Sequence, residues 1–174
     1  MKGMRSITGV LLLCLTVSCH KDQIKVDAGQ ENNTATIASL KNGIIESDWI
    51  ASSTSEVASQ PSHSVYHIEI NAGNFTHPGN TVLVFRKDKA THHSVAIPYE
   101  ETRGNQKIYW YYEVVGDEIM ISADVYGGGA DPFTTSAFKY LVVSNAAMQD
   151  MKRRGINRTQ LMTISYENFM ELNQ

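Results

Sequence analysis

Cysteine is nearly absent: among 174 residues only Cys14 and Cys19 carry a thiol, and both stand within the first nineteen positions. With Cys14 removed in a leader and Cys19 acylated, the folded part has no disulfide, no thiolate metal site and no cysteine nucleophile. Its stability then rests on a packed core. A bilayer-spanning run is missing too, since the apolar stretch 7–17 falls short of the roughly 20 residues a spanning helix needs. Gly-x-Ser-x-Gly, Ser-x-x-Lys with its companion motifs and His-Glu-x-x-His are all lacking, which removes the usual local signatures of serine and zinc hydrolases. Basic charge is in deficit, with 15 Lys and Arg against 18 Asp and Glu. That balance argues against nucleic acid as a partner. There is no internal repeat, low-complexity tract or second domain.

What is present begins with an address. Lys2 and Arg5 precede the apolar run, and small Ser18 precedes Cys19. This is the layout of a bacterial lipoprotein signal. Thr16 stands where leucine is usual, and Cys14 is the poorer attachment point because bulky Leu13 precedes it. An ordinary secretory signal asks for a small-x-small cleavage site, which Val17 and Ser18 only half provide. The expectation is cleavage after residue 18 and acylation of Cys19, with the chain held to a membrane of the cell envelope by lipid. The outer membrane is the expected site, its periplasmic and surface faces both open. Residues 19–39 are polar and aperiodic and read as a flexible tether. Residues 40–174 read as one folded domain.

From Gly43 onward the pattern is strands and turns. Asp48 to Ser52 carries Trp49 and Ile50. Val65, His67 and Glu69 alternate with Tyr66, Ile68 and Ile70, which predicts a half-buried strand with the second set inward. Thr81 to Phe85 is a short apolar strand stopped by charge. Val95 to Tyr99 follows, with Pro98 ending it or placing it at an edge. Lys107 to Val115 turns at Gly116-Asp117 into Glu118 to Tyr126. After the Gly127-Gly128-Gly129 loop comes Ala137 to Val143. About seven strands at this spacing predict an all-β antiparallel sandwich. Two short helices follow: Ala146 to Arg154, stopped by Gly155, and Ser165 to Leu172, with Ser165 as N-cap. They read either as a docking surface or as a cover in which Met162, Ile164, Phe169 and Leu172 close an open end of the sandwich.

Trp49-Ile50, Val82-Leu83-Val84-Phe85, Ile97-Pro98-Tyr99, Phe138-Lys139-Tyr140-Leu141-Val142-Val143 and Ser165-Tyr166-Glu167, in that order, resemble the motifs of small Bacteroidota lipoproteins. In those proteins a C-terminal β-sandwich domain sometimes follows a collagen-like segment. The resemblance spans Gly43 to Leu172. This chain lacks the collagen-like repeat, and its segment 73–79 departs from the family pattern. The resemblance implies a fold and an envelope location but no activity, since the family has none assigned.

Candidate chemistry is sparse. Six histidines are present, but His63 and His67 stand four residues apart on a strand, too far to share an ion easily at about 3.3 Å per residue. Adjacent His92 and His93 diverge in a strand, so a metal site needs His77 or an acid brought in by folding. No metal and no cofactor is expected. The serines of segment 51–64 read as a polar connection. Glu100-Glu101 and Asp117-Glu118 read as solvated turn charge, and the glycine loop lacks the following helix and lysine of a phosphate cradle.

The run Tyr109-Trp110-Tyr111-Tyr112 is the candidate ligand-binding element. In a strand Tyr109 and Tyr111 face one way and Trp110 and Tyr112 the other, so one pair leaves the core. Outward aromatics with polar tips suit sugars and protein partners; the rival reading is cross-strand packing that helps hold the sheet. Two functions follow. One is a non-catalytic envelope lipoprotein binding a protein or glycan partner, not an enzyme. The other is an envelope hydrolase or metal-dependent enzyme in which His77, His92 or His93 converges with an acid such as Asp131.

Overall fold

A computed structural model describes residues 33–34, 37–51, 55–60, 62–73, 77 and 79–173. The leader, Cys19 and most of the expected tether lie outside the described residues. The chain forms β1 (Asn33–Thr34), β2 (Ile37–Lys41), β3 (Ile44–Ser47), β4 (Ser55–Gln60), β5 (His63–Asn71), β6 (Thr81–Asp88), β7 (Ser94–Ile97), β8 (Tyr99–Arg103), β9 (Gln106–Val115), β10 (Glu118–Tyr126) and β11 (Ser136–Val143). Three helices follow: α1 (Asn145–Arg153), α2 (Arg158–Leu161) and α3 (Tyr166–Leu172).

The strands make a β-sandwich of two sheets. A six-stranded sheet runs β1-β5-β10-β9-β8 with β4 also paired to β5, and a five-stranded sheet runs β2-β3-β11-β6-β7. All pairings are antiparallel except β1 with β5. The folded part begins before the tether boundary expected at residue 39, because Asn33–Thr34 and Ile37–Lys41 are already paired into sheets. The Ser-rich connection likewise contains a strand, β4, on the edge of β5. The strand expected over 48–52 shrinks to one bridge, in which Ile50 exchanges backbone hydrogen bonds with Phe138 at 2.6 and 2.8 Å. Between that bridge and β3 the Ser47 hydroxyl accepts the Tyr140 amide at 3.0 Å, so no buried N–H is left unmade there.

Alternation sets the core between the sheets. Tyr66, Ile68 and Ile70 of β5 face inward as their spacing predicts, against Ile119 and Ile121 of β10, Ile108 and Trp110 of β9, and Val84 and Tyr140 opposite. Trp110, Phe133 and Phe138 form an aromatic group with ring centroids 5.0 to 5.7 Å apart. Phe133 comes from the loop before β11, where the Asp131 carboxylate accepts the Phe133 amide at 2.8 Å and turns the ring inward. Pro98 lies where the chain leaves the five-stranded sheet at Ile97 and enters the six-stranded sheet at Tyr99, and both strands it joins are edges.

The helices do not close an end of the sandwich. They lie on the outer face of the five-stranded sheet, where Met151, Leu161 and Phe169 pack on Leu83, Phe85, Ala96, Leu141 and Val143 in a second core. Every residue of β11 is therefore buried, as a strand between two apolar layers requires. Ser144, Asn157 and Ser165 cap the helices, each side chain accepting a first-turn amide. The molecule thus has three layers, and one sheet face remains without a helical cover among the described residues.

Candidate binding surface

Strand β9 divides its aromatic run as the period of two dictates. Trp110 is 1 % exposed and donates its indole N–H to Glu101 at 2.9 Å. Tyr112 also faces inward and donates to the Val82 carbonyl at 2.7 Å. Trp110 is thus a core residue out of reach of a ligand, and Tyr112, partly buried, packs against the same core from the inner face. Tyr109 and Tyr111 lie on the outer face, half-buried. Register brings Tyr126 of β10 and His63 of β5 into the same face. His63 stacks on Tyr126 at 4.3 Å and Tyr109 meets Tyr126 edge-on at 5.7 Å. Tyr126, 41 % exposed, was not picked out by sequence reading, because its place beside Tyr109 depends on the β9–β10 register.

Polar groups surround these rings. The Lys107 ammonium sits 4.8 Å from the Tyr109 ring centroid and 3.0 Å from Glu100. The hydrogen bonds it donates to Tyr109 and Glu100 raise its pKa above the ordinary lysine value. Tyr111 donates to Asp124 at 3.3 Å. Burial, with the negative charge of Asp124 next, pushes the Tyr111 phenol above its usual value.

Of the charges expected in solvated turns, Asp117 and Glu118 are exposed at the β9–β10 turn, whereas Glu100 and Glu101 lie on a strand. Glu100 and Glu101 belong to β8 and point to opposite faces. Glu100 pairs outside with Lys107, while Glu101 enters the sandwich and meets Trp110, Arg86 at 3.4 Å and Arg103 at 3.1 Å. Arg86, its side chain 4 % exposed, lies over the Trp110 ring and donates to Ser136 at 2.7 Å and to the Tyr99 hydroxyl. Asp88 and Arg103 complete a balanced set of two acids and two bases. On the other side of the five-stranded sheet, Lys139 pairs with Glu46 beneath Trp49 and Tyr166. These two networks absorb residues from each of the motifs containing Trp49, Tyr99, Lys139 and Tyr166, and they act as internal ties.

The remaining candidates do not converge. His92 and His93 lie in the turn before β7 and His77 ahead of β6, while one Asp131 oxygen is committed to the Phe133 amide. Among the described residues no three His, Cys, Asp or Glu side chains form a metal-holding group. The glycine loop is structural. Gly127 has φ +93 and donates to the Ser62 carbonyl at 3.1 Å, and a Cβ there would stand 2.2 Å from the Asn105 carbonyl oxygen. A cleft of about 370 Å³ lies between the β2–β3 turn, α1 and Asn173. Its charged rim is engaged within the chain, Asp150 with Arg153 and Arg154 with the Leu172 carbonyl. No helix among the described residues is long and apolar enough to cross a membrane. No family model, curated protein or solved structure matches the chain.

Proposed function

We propose that this protein is a lipid-anchored lipoprotein of the cell envelope that acts as a non-catalytic binding module for a protein or glycan partner. The outer face of the six-stranded sheet is its recognition surface. The observation that carries this reading is the inequality of the two sheets. Helices cover the outer face of the five-stranded sheet, whereas Tyr109, Tyr111 and Tyr126 stand on a sheet face that no described element covers. Aromatic side chains with polar tips on a rigid sheet are suited to recognition, because little conformational entropy is lost when they are contacted.

The leader pattern at Lys2 to Cys19 and the resemblance to Bacteroidota lipoproteins support the envelope location. Topology supports the orientation. β1 joins β5 at Ile70 and Asn71, opposite Glu118 at one end of β10. Tyr126 and His63 are at the other end, about 26 Å further along the strand. A chain tethered at Cys19 would enter the sheet at the end away from that ring cluster.

The test uses the full chain expressed in a bacterial host, with Cys19→Ser and Tyr126→Ala variants. Cys19→Ser is expected to move the protein from the membrane to the soluble fraction. Tyr126→Ala is expected to leave it in the membrane and reduce capture of envelope material. A Cys19→Ser protein that stays membrane-bound contradicts the anchor, and unchanged capture by Tyr126→Ala contradicts the surface.

A further inference from the structure

The recognition surface carries an unequal charge. Among the described residues its outward positions hold Glu69, Glu100, Glu113, Glu118 and Asp124 against one lysine, Lys107. This excess of four negative charges is larger than the formal charge of −3 on the whole chain. The face also contains a filled example of the contact such a surface favours. Lys107 places its ammonium over the Tyr109 ring while Glu100 neutralises it, the pairing of cation, ring and carboxylate that stabilises an ammonium at a surface.

One period along β9 a ring and a carboxylate again stand together without a cation, here joined through the phenol hydroxyl. Tyr111 stands beside Asp124 at 3.3 Å, with Glu113 next on the same face of the strand. No lysine or arginine among the described residues pairs with Asp124. We infer that this Tyr111–Asp124 position takes a lysine or arginine side chain from an extended segment of a partner protein. The inference rests on the recognition-surface reading above and narrows its partner to a cationic polypeptide. An extended segment fits because its alternate side chains project to one side about 7 Å apart, the spacing of Tyr111 and Glu113 along the same face of β9. Complementary charge of this kind acts through the rate of encounter and through specificity, and salt weakens it.

The test is binding of a fluorescent peptide of alternating lysine and serine to the full chain in non-ionic detergent, measured by anisotropy. A glutamate–serine peptide and a neutral oligosaccharide are run beside it. The lysine peptide is expected to bind and to weaken with added salt. Asp124→Asn and Tyr111→Ala should each lose about fivefold in affinity, while Arg153→Gln, on the helical layer, binds like the native chain. A melting curve on each variant separates a lost contact from a lost fold. Equal binding of the two peptides, or Asp124→Asn and Tyr111→Ala variants that bind as well as the native chain, overturns the inference. Oligosaccharide binding that depends on Tyr111, with no lysine-peptide binding, also overturns it while leaving the recognition surface standing.

Discussion

Tyr166 donates its phenolic hydrogen to Glu46, and the two residues are 120 positions apart in the sequence. This bond ties α3 to β3 across the outer face of the five-stranded sheet, where Lys139 pairs with the same carboxylate oxygen. Trp49 packs edge-on against Tyr166 at 5.5 Å, and Phe85 does so at 5.8 Å. Tyr166→Phe keeps the packing and removes only the hydrogen bond to a charged acceptor. It is expected to cost about 2 kcal/mol in chemical denaturation. An unchanged midpoint would mean that the helical layer is held by apolar contact alone.

Arg86 tests the internal charges. It bridges the sheets through Tyr99 and Glu101, donates to Ser136 within its own sheet, and lies 4.9 Å from the Trp110 ring centroid. Arg86→Met preserves much of the volume but leaves Glu101 and Asp88 with Arg103 alone. The expected loss is about 3 kcal/mol, because breaking one side of a buried pair leaves charge uncompensated. Urea unfolding followed by tryptophan fluorescence measures it.

Neighbouring aromatics on β9 should behave oppositely. Trp110→Ala opens a cavity beside Phe133 and Phe138 and removes a donor from Glu101, at an expected cost of about 4 kcal/mol. Tyr109→Ala, on the outer face, should cost about 1 kcal/mol, the loss of its exposed contacts with Tyr126 and Lys107. Thermal melts of the two variants give the comparison directly.

Stability should fall at both pH extremes. The Asp88 carboxyl lies below its ordinary value of 3.8, chiefly because the Thr91 amide donates to it, with Ala90 and the Arg86 charge adding against the effect of burial. Burial would raise Glu167, but hydrogen bonds from Ser94, its own amide and Ser165 outweigh that and hold it below 4.5. Both values are depressed by folding, so their stabilisation is complete above the ordinary values and is lost as pH falls through the folded ones. Tyr99 and Tyr166 are raised above 10.0, in each case mainly by burial, with the neighbouring acids Glu101 and Glu46 adding. Their contribution is present below the ordinary value and is lost as pH rises beyond it. Denaturation midpoints across this range should show both limbs, and Asp88→Asn with Glu167→Gln should flatten the acid one.

Much of the sandwich is legible because a period of two is local. Tyr66, Ile68 and Ile70 announce their face, Gly116-Asp117 announces its hairpin, and Ser165 announces a helix start. The position of the helices was harder to read, since a cap says where a helix begins and not what it covers. The continuous apolar run of β11 carried the clue, because a strand buried on both faces needs two layers. β4 was hidden by its serines, and Phe133 by the turn residues around it. The internal charges escaped because their partners are distant, Lys139 meeting Glu46 across 93 residues. The aromatic run was divided correctly by alternation, but Tyr126 joins it only through strand register.

The most direct measurement of the central claim is oxidative footprinting of tyrosines on the full chain, once in unfractionated cells that make it and once after detergent extraction and purification. Tyr109, Tyr111 and Tyr126 should be protected in the cells and modified after purification, while Tyr140, 1 % exposed in the core, stays protected in both. Equal modification of Tyr109, Tyr111 and Tyr126 in the two samples would contradict the assignment of this sheet face as the recognition surface.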